Sequence, residues 1–274
     1  MSGRARVYRT EAIILRRQDF GEADRILTVL TPEHGKLRLL AKGVRKSTSR
    51  KSGHLEPFTR VDLMIARGRS LDLITQAESR WVFSSGGTDL VRFGCASYVV
   101  EALDRFTVED VEAHQLYQVL RDTLERLEED VDPGLLLRYF ELELLDLAGF
   151  RPSLSLCVGC GEKIQPQDQF FSAHEGGVVC PSCGTHTPEA VPISLAALKV
   201  LRNFQREPFS RLSGLKLRYS TLAELEHLLE TYFNTILERE MNTPGFLREI
   251  GKLNQKRKLA CNQASDADSG KQVE

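Results

Sequence analysis

Short apolar stretches of strand length, separated by turn chemistry, fill the first eighty residues. Val7 and the run Ala12-Ile13-Ile14-Leu15-Arg16 predict a first strand. Asp19-Phe20-Gly21-Glu22 reads as a turn, 25–31 as a second strand, and Pro32-Glu33-His34-Gly35 as a second turn. Residues 36–41 mix basic and apolar side chains in partial alternation and predict a third strand. Residues 61–66 and 71–77, joined at Arg67-Gly68-Arg69-Ser70, predict a fourth and a fifth. Five short strands with a long excursion between the third and fourth point to a small closed barrel, an OB-fold first and an SH3-type barrel second.

From about residue 88 the period becomes helical. Residues 89–107 predict one helix with Phe93, Cys95, Tyr98, Val99 and Leu103 inward, and Leu116, Leu120, Leu124 and Leu127 mark another. Asp132-Pro133 supplies a cap and a first helical residue for a third. Its interior, 135–148, is apolar nearly all round, which places it at the centre of a bundle. Gly149 ends it. The acidic clusters Glu128-Glu129-Asp130 and Glu141 with Glu143 have no metal-type histidine beside them and are expected on a solvated surface. Farther on, 192–204 reads as a helix capped by Ser194. Thr221-Leu222-Ala223-Glu224 has the form of a capping box opening a helix with Leu225, Leu228, Leu229, Tyr232 and Phe233 on one face, stopped at Asn242-Thr243-Pro244-Gly245. Part of that stripe could form a groove for a partner peptide. Beyond Gly251 the chain is polar, with Lys256-Arg257-Lys258 followed by acids, and disorder is expected.

Between these helical parts lie Cys157-Val158-Gly159-Cys160-Gly161 and Cys180-Pro181-Ser182-Cys183-Gly184, two Cys-x-x-Cys pairs. The separation suits one ion held tetrahedrally by four thiolates, and Zn²⁺ is the ion such a soft donor set favours. A closed four-sulfur shell leaves no position for water, so the ion is expected to be structural. Disulfides or a redox pair are the alternatives. The glycine after each pair is expected to allow a positive φ around the metal. His174 and His186 are expected at the surface. Cys95 reads as core, and Cys261 lies in the polar tail. The reading is thus an α+β multidomain chain. It comprises an OB-fold nucleic-acid-binding domain at 1–82, a helical domain at 83–150 and 192–250, a four-cysteine zinc-binding module at 151–191, and a tail at 251–274.

Charge sharpens this division. The net charge is −1, yet residues 1–80 hold 17 Lys and Arg against 9 Asp and Glu, whereas 84–150 hold 5 against 15. Only the first module is suited to a polyanion. The excursion 42–53 carries five cations and four hydroxyls in twelve residues and is expected to be exposed and mobile. Its chemistry fits phosphate oxygens, with Lys36 and Arg38 adjoining on the third strand. Few aromatic rings accompany it, so backbone electrostatics should outweigh stacking. No apolar run approaches a membrane span or a signal-peptide core, and thiolate metal ligands fit a reducing cytosol. No Walker loop and no nucleophile–base constellation is evident.

The runs Asp19-Phe20-Gly21-Glu22-Ala23-Asp24-Arg25-Ile26, Leu30-Thr31-Pro32-Glu33-His34-Gly35-Lys36 and Ala41-Lys42-Gly43-Val44-Arg45 resemble the N-terminal signature of the bacterial RecO family. Leu55-Glu56-Pro57-Phe58, Gly68-Arg69-Ser70-Leu71 and the paired cysteines extend the likeness over about residues 6–250. The resemblance implies a recombination mediator of the RecF pathway of DNA repair, not an enzyme of covalent chemistry. Such a protein binds single- and double-stranded DNA, anneals strands, partners RecR, and helps load RecA onto DNA covered by single-strand-binding protein. It implies one structural zinc on Cys157, Cys160, Cys180 and Cys183, and a cytoplasmic, nucleoid-associated location. Expected DNA contacts are Arg17, Lys36, Arg38, Lys42, Arg45, Lys46, Arg50 and Lys51. Rival readings are an RNA- or ribosome-associated OB-fold zinc protein, a zinc hydrolase or deaminase, and an adaptor that binds only proteins.

Overall fold

The computed structural model describes residues 6–84, 89–109, 111–238 and 241–249; the expected tail, with Cys261, lies outside them. Five strands form the N-terminal part: β1 (Val7–Phe20), β2 (Asp24–Thr31), β3 (Gly35–Ala41), β4 (Arg60–Ala66) and β5 (Asp72–Trp81). They follow one another as β1-β2-β3-β5-β4, and β1 pairs antiparallel with both β2 and β4. This is an OB-like sheet. It closes on itself through a narrow parallel seam, Leu39 with Asp72 and Leu40 with Leu73. β1 runs farther than its apolar run indicates. Asp19 and Phe20, expected in the turn, still pair with Arg25 and Asp24, so the turn is confined to 21–23.

The run Ala12-Ile13-Ile14-Leu15 is apolar on both sides because β1 serves two cores. Ala12 and Ile14 point inward with Leu27, Val29, Leu39, Leu63 and Ile65. Ile13 and Leu15 point outward and, with Leu30 and Phe58, join the core of the helical domain. Each fully buried aliphatic side chain of this kind contributes about 1.5–3 kcal/mol.

The helices are α1 (Leu90–Phe106), α2 (His114–Arg126), α3 (Pro133–Leu147), α4 (Pro181–Gly184), α5 (Leu195–Phe204), α6 (Phe209–Leu212) and α7 (Tyr219–Leu237). Asp89 caps α1 through the Val91 and Arg92 amides, and Asp132 caps α3 through Gly134 and Leu135. Between α3 and α5 lies a small sheet, β7 (Gly177–Val179), β6 (Gln169–Ser172) and β8 (Val191–Ile193), in that spatial order.

Two expectations need correction. α7 begins at Tyr219, so Thr221 is inside the helix and caps nothing. Glu224 is directed at α5 instead, accepting from the Ser194 amide at 2.5 Å and from its hydroxyl at 2.7 Å. Glu141, expected in solvent, is fully buried. α3 is covered on every side, and its Glu141 carboxylate pairs with Arg138 at 2.8 Å and accepts from the Tyr98 hydroxyl. Burial raises this carboxyl to about 7 against the pull of Arg138 and Tyr98, and Glu226 and Glu230 add to the rise.

The barrel and the bundle meet along the β2–β3 hairpin. The Lys36 ammonium donates to the Asp104 carbonyl at 2.9 Å and to its carboxylate at 3.0 Å. The Ala113 amide donates to Pro32 O, and Arg60 pairs with Glu125 at 2.6 Å. Gly35 has φ +63°, and a Cβ there would lie 1.9 Å from the Val111 carbonyl oxygen.

Gly35→Ala is therefore expected to lower the melting temperature more than Gly21→Ala. Both sites have positive φ, but a Cβ at Gly21 meets open space. Differential scanning calorimetry of the two variants checks this; equal shifts would show that the Val111 contact yields freely. A second expectation concerns Glu141. Its carboxyl ionises at an ordinary 4.5 when unfolded and near 7 when folded, so the unfolded chain sheds this proton first. This group's contribution to stability falls as pH rises from about 4.5 to 7. Glu141→Gln should flatten that part of the stability profile measured by urea unfolding.

Candidate nucleic-acid interface and metal centre

Register fixes which barrel side chains share a face. Past a bulge between Ile14 and Arg16, the residues Arg16, Thr28 and Arg38 stand opposite one another on β1, β2 and β3. Gln18, Ile26 and Leu40 form the next row, and Phe20 pairs with Asp24 in the one after it. Side chains two apart share a face, so Arg16, Gln18 and Phe20 lie together with Arg38, Leu40 and, just past β3, Lys42. The parallel seam brings the start of β5 alongside Leu39 and Leu40, so the 67–71 turn that leads into β5 lies at that edge of β3.

The excursion after β3 is built, not loose. Val44 is fully buried in the barrel core. The Arg45 amide donates to Ala23 O at 2.9 Å, the Gly43 amide to the Asp24 carboxylate at 2.7 Å, and a 3-10 turn forms at Ser52–His54. The loop is thereby stitched to the β1–β2 turn, and the seam between them is an open concavity lined by Arg25, Val44, Arg45, Lys46, Ser52 and Glu56. The sequence predicts a wholly exposed, mobile excursion because its polar composition hides the one apolar anchor, Val44.

The eight expected DNA contacts separate into two groups. Arg38, Lys42, Lys46 and Arg50 are exposed, and their side chains make no hydrogen bond or ion pair among the described residues. The other four are engaged. Arg17 pairs with Glu56. Arg45 pairs with Asp19 at 3.4 Å and reaches Gly21 O. Lys51 donates to Ile74 O at 3.0 Å, and burial lowers its pKa. Lys36 is held by Asp104, within the contact between barrel and bundle. Asp19 is held below the ordinary carboxylate range, mainly by its hydrogen bond from Arg25. Two further exposed cations, Arg16 on this face and Arg69 in the 67–71 turn, escaped the sequence reading. Plain alternation past Leu15 turns Arg17 outward; the bulge between Ile14 and Arg16 puts Arg16 there instead. Arg69 comes near β3 only through the β3–β5 seam, which no local pattern reveals.

Elsewhere the barrel is acidic. Glu11, Asp62 and Glu78 stand in one row across β1, β4 and β5. Like charges so placed repel. Arg60, 3.3 Å from Glu11, and Arg80, paired with Asp62, offset this.

The four candidate metal ligands sit in two knuckles. At the first, the Cys157 amide donates to Glu162 O and the Gly161 amide to Cys157 O, both at 2.8 Å, with Gly161 at φ +78°. At the second, Cys180 precedes α4, and the Cys183 and Gly184 amides donate to Cys180 O at 3.1 and 2.8 Å. The four sulfurs lie within 4.8 Å of one another and could hold one metal ion. Cys160 and Cys180 Sγ are 3.9 Å apart, close to the ~3.8 Å edge of a tetrahedron with ~2.3 Å metal–sulfur bonds. The Cys180 amide also donates to Cys157 Sγ at 3.3 Å, a contact that favours the thiolate. Only the first glycine fills the expected role. Gly184 is needed because a Cβ there would fall 2.3 Å from Phe170. His174 pairs with Glu189 in solvent, and His186 is exposed. Cys95 is buried far from this chemistry, and burial pushes its thiol up to about 12.

Residues 1–83 match the family model described as Recombination protein O N terminal, and 87–244 match Recombination protein O C terminal. A DNA repair protein RecO from Roseiflexus sp. (strain RS-1) is 43% identical over 91% of this chain and 88% of its own length. Proteins of the same name from Desulforudis audaxviator and Dehalococcoides mccartyi (strain ATCC BAA-2100) are 39% and 38% identical, covering 89% and 85% of this chain and 97% and 92% of their own. Among the described residues no helix is long and apolar enough to cross a membrane.

Cys157, Ile164, Phe171 and Val178 of the module belong to the same apolar core as the helices. Elemental analysis by mass spectrometry should find one metal ion per chain. Chelation, or Cys157→Ser, should remove it and lower the melting temperature of the helical part, not only of the module. A metal-free protein with an unchanged melting curve would refute the bracing role.

Proposed function

Because the chain belongs to the RecO family of DNA repair proteins, we propose that it is a recombination mediator that binds single- and double-stranded DNA on the outer face of β1, β2 and β3. It anneals complementary strands and acts with RecR to load RecA onto DNA covered by single-strand-binding protein. The observation that carries this reading is a set of cations whose side chains have no internal partner. Arg16 and Arg38 share the outer face of β1–β3 with Lys42 at its edge, and Lys46, Arg50 and Arg69 are exposed in the adjoining loops, whereas the row Glu11, Asp62 and Glu78 lies across β1, β4 and β5 with Arg9 exposed beside it.

Physically, annealing is limited by repulsion between two phosphate backbones. Cations free of internal partners replace condensed counterions without first breaking an ion pair, so their full charge is available to phosphate. Arg and Lys at strand and loop positions place charge without reading base edges, so sequence preference is weak. The row of β1, β4 and β5, its acids offset by Arg60 and Arg80, draws DNA less and is the part of the barrel left for a protein such as RecR. The ion on Cys157, Cys160, Cys180 and Cys183 is zinc, the usual choice of a four-thiolate set, and its role is to brace the fold. A closed shell of this kind supports mediation without covalent chemistry. The protein works in the cytoplasm at the nucleoid.

Six phosphates on a single strand give a slope of log affinity against log salt of about −4. Reversing Arg38, Lys42 and Lys46 to Glu should cost at least tenfold in affinity and flatten that slope by about 2, read by fluorescence anisotropy across a salt series. Lys36→Gln should leave the slope alone and lower the melting temperature, since its ammonium is spent on Asp104. Unaltered DNA affinity of the triple reversal in dilute buffer would remove the assignment.

A further inference from the structure

The outer face of β1–β3 holds something besides charge. Phe20, at the last position of β1, is 51% exposed. It is the one aromatic ring so exposed among the described residues of the barrel, since Tyr8 and Trp81 are half-buried and Phe58 and Phe83 are buried. A single exposed apolar side chain is ordinary on a soluble protein. This one has a particular setting. The half-buried Ile26 and Leu40 lie on the same face, one row away, and together the three make an apolar strip. Arg38 stands beyond one side of the strip, and Lys42 follows β3 on the other. The turn after Phe20 is tight, with Gly21 at φ +59° and open space where a Cβ would stand. The turn is also held still, through Asp19 with Arg25 at 3.0 Å, Arg45 with Gly21 O at 3.3 Å, and Asp24 with the Gly43 amide.

We propose that Phe20 is a stacking platform for one unpaired nucleobase, with Ile26 and Leu40 as its apolar floor and Arg38 and Lys42 on the flanking phosphates. The inference rests on the DNA-binding reading of this face and adds to it the form of the ligand. A flat ring held over an apolar strip offers a base a dry contact, and every base has a face to give it, so the site tolerates any sequence. A paired base in a duplex keeps both faces inside the stack and gains nothing there. The ring therefore tilts the protein toward single strands, while the cations serve both forms. During annealing it holds one base turned toward the protein and leaves its neighbours free to pair.

The test uses the full-length protein and three probes of equal phosphate count: oligo(dT), the same backbone with abasic sites, and a duplex of half that length. Phe20→Ala should weaken oligo(dT) binding about 5- to 10-fold. It should leave the abasic strand, the duplex and the salt slope unchanged. Phe20→Trp, in a Trp81→Phe background, should retain affinity, and its indole emission should be quenched by oligo(dT) and not by the abasic strand. Equal losses on all three probes, or no loss on any, would overturn the stacking role. Absence of DNA binding by the wild type even at low salt would instead overturn the reading of the whole face. Tight wild-type binding with no difference between base-bearing and abasic strands would overturn the inference about Phe20 alone.

Discussion

The structure depends on β1 being buried on both sides. A strand with one wet face alternates, and this one does not between Ala12 and Leu15, because the barrel takes every other residue and the helices take the rest. Neither part can withdraw without exposing Ile13, Leu15 and Leu30 to water. The hydrophobic contact is supplemented by directed ones. Lys36 reaches Asp104, Arg60 reaches Glu125, and Gly35 lets the Val111 backbone lie against the hairpin. These polar contacts fix position, and the apolar ones supply most of the cohesion.

That junction also divides the barrel surface. With the middle of β1 and β2 covered by helices, what remains open is a cationic side on β1–β3 and an acidic side on β1, β4 and β5. Charge on the first is available because the side chains of Arg16, Arg38 and Lys42 lack internal partners. Charge on the second is largely cancelled by Arg60 and Arg80. A polyanion meets one face with uncompensated positive charge and one that is close to balanced.

Much of this was legible in the chain. Strand existence, the helix caps at Asp132 and Ser194, and the grouping of the four cysteines all follow from local spacing, because the deciding contacts lie within a few residues. What escaped depends on distant partners. Glu141 looks like a surface acid until α3 is covered all round and Arg138 and Tyr98 close on it. Glu224 has the spacing of a capping-box acid, yet it serves Ser194 thirty residues earlier. Lys36 reads as a phosphate ligand from its basic neighbours, but Asp104 takes it. Arg69 joins the candidate interface only through the β3–β5 pairing. Side chains whose roles are set across the fold are those that a periodic reading misplaces.

The stitching of the 42–53 excursion to the β1–β2 turn has a kinetic meaning. A flexible basic loop would have to be immobilised by each new strand it met, and that entropy would be deducted from every encounter. Here Asp19, Asp24 and Val44 have already settled the matter during folding, so the surface arrives preshaped. Capture can then be quick, and because little reordering accompanies contact, release can be quick as well. On the mediator role proposed above, brief residence is an asset.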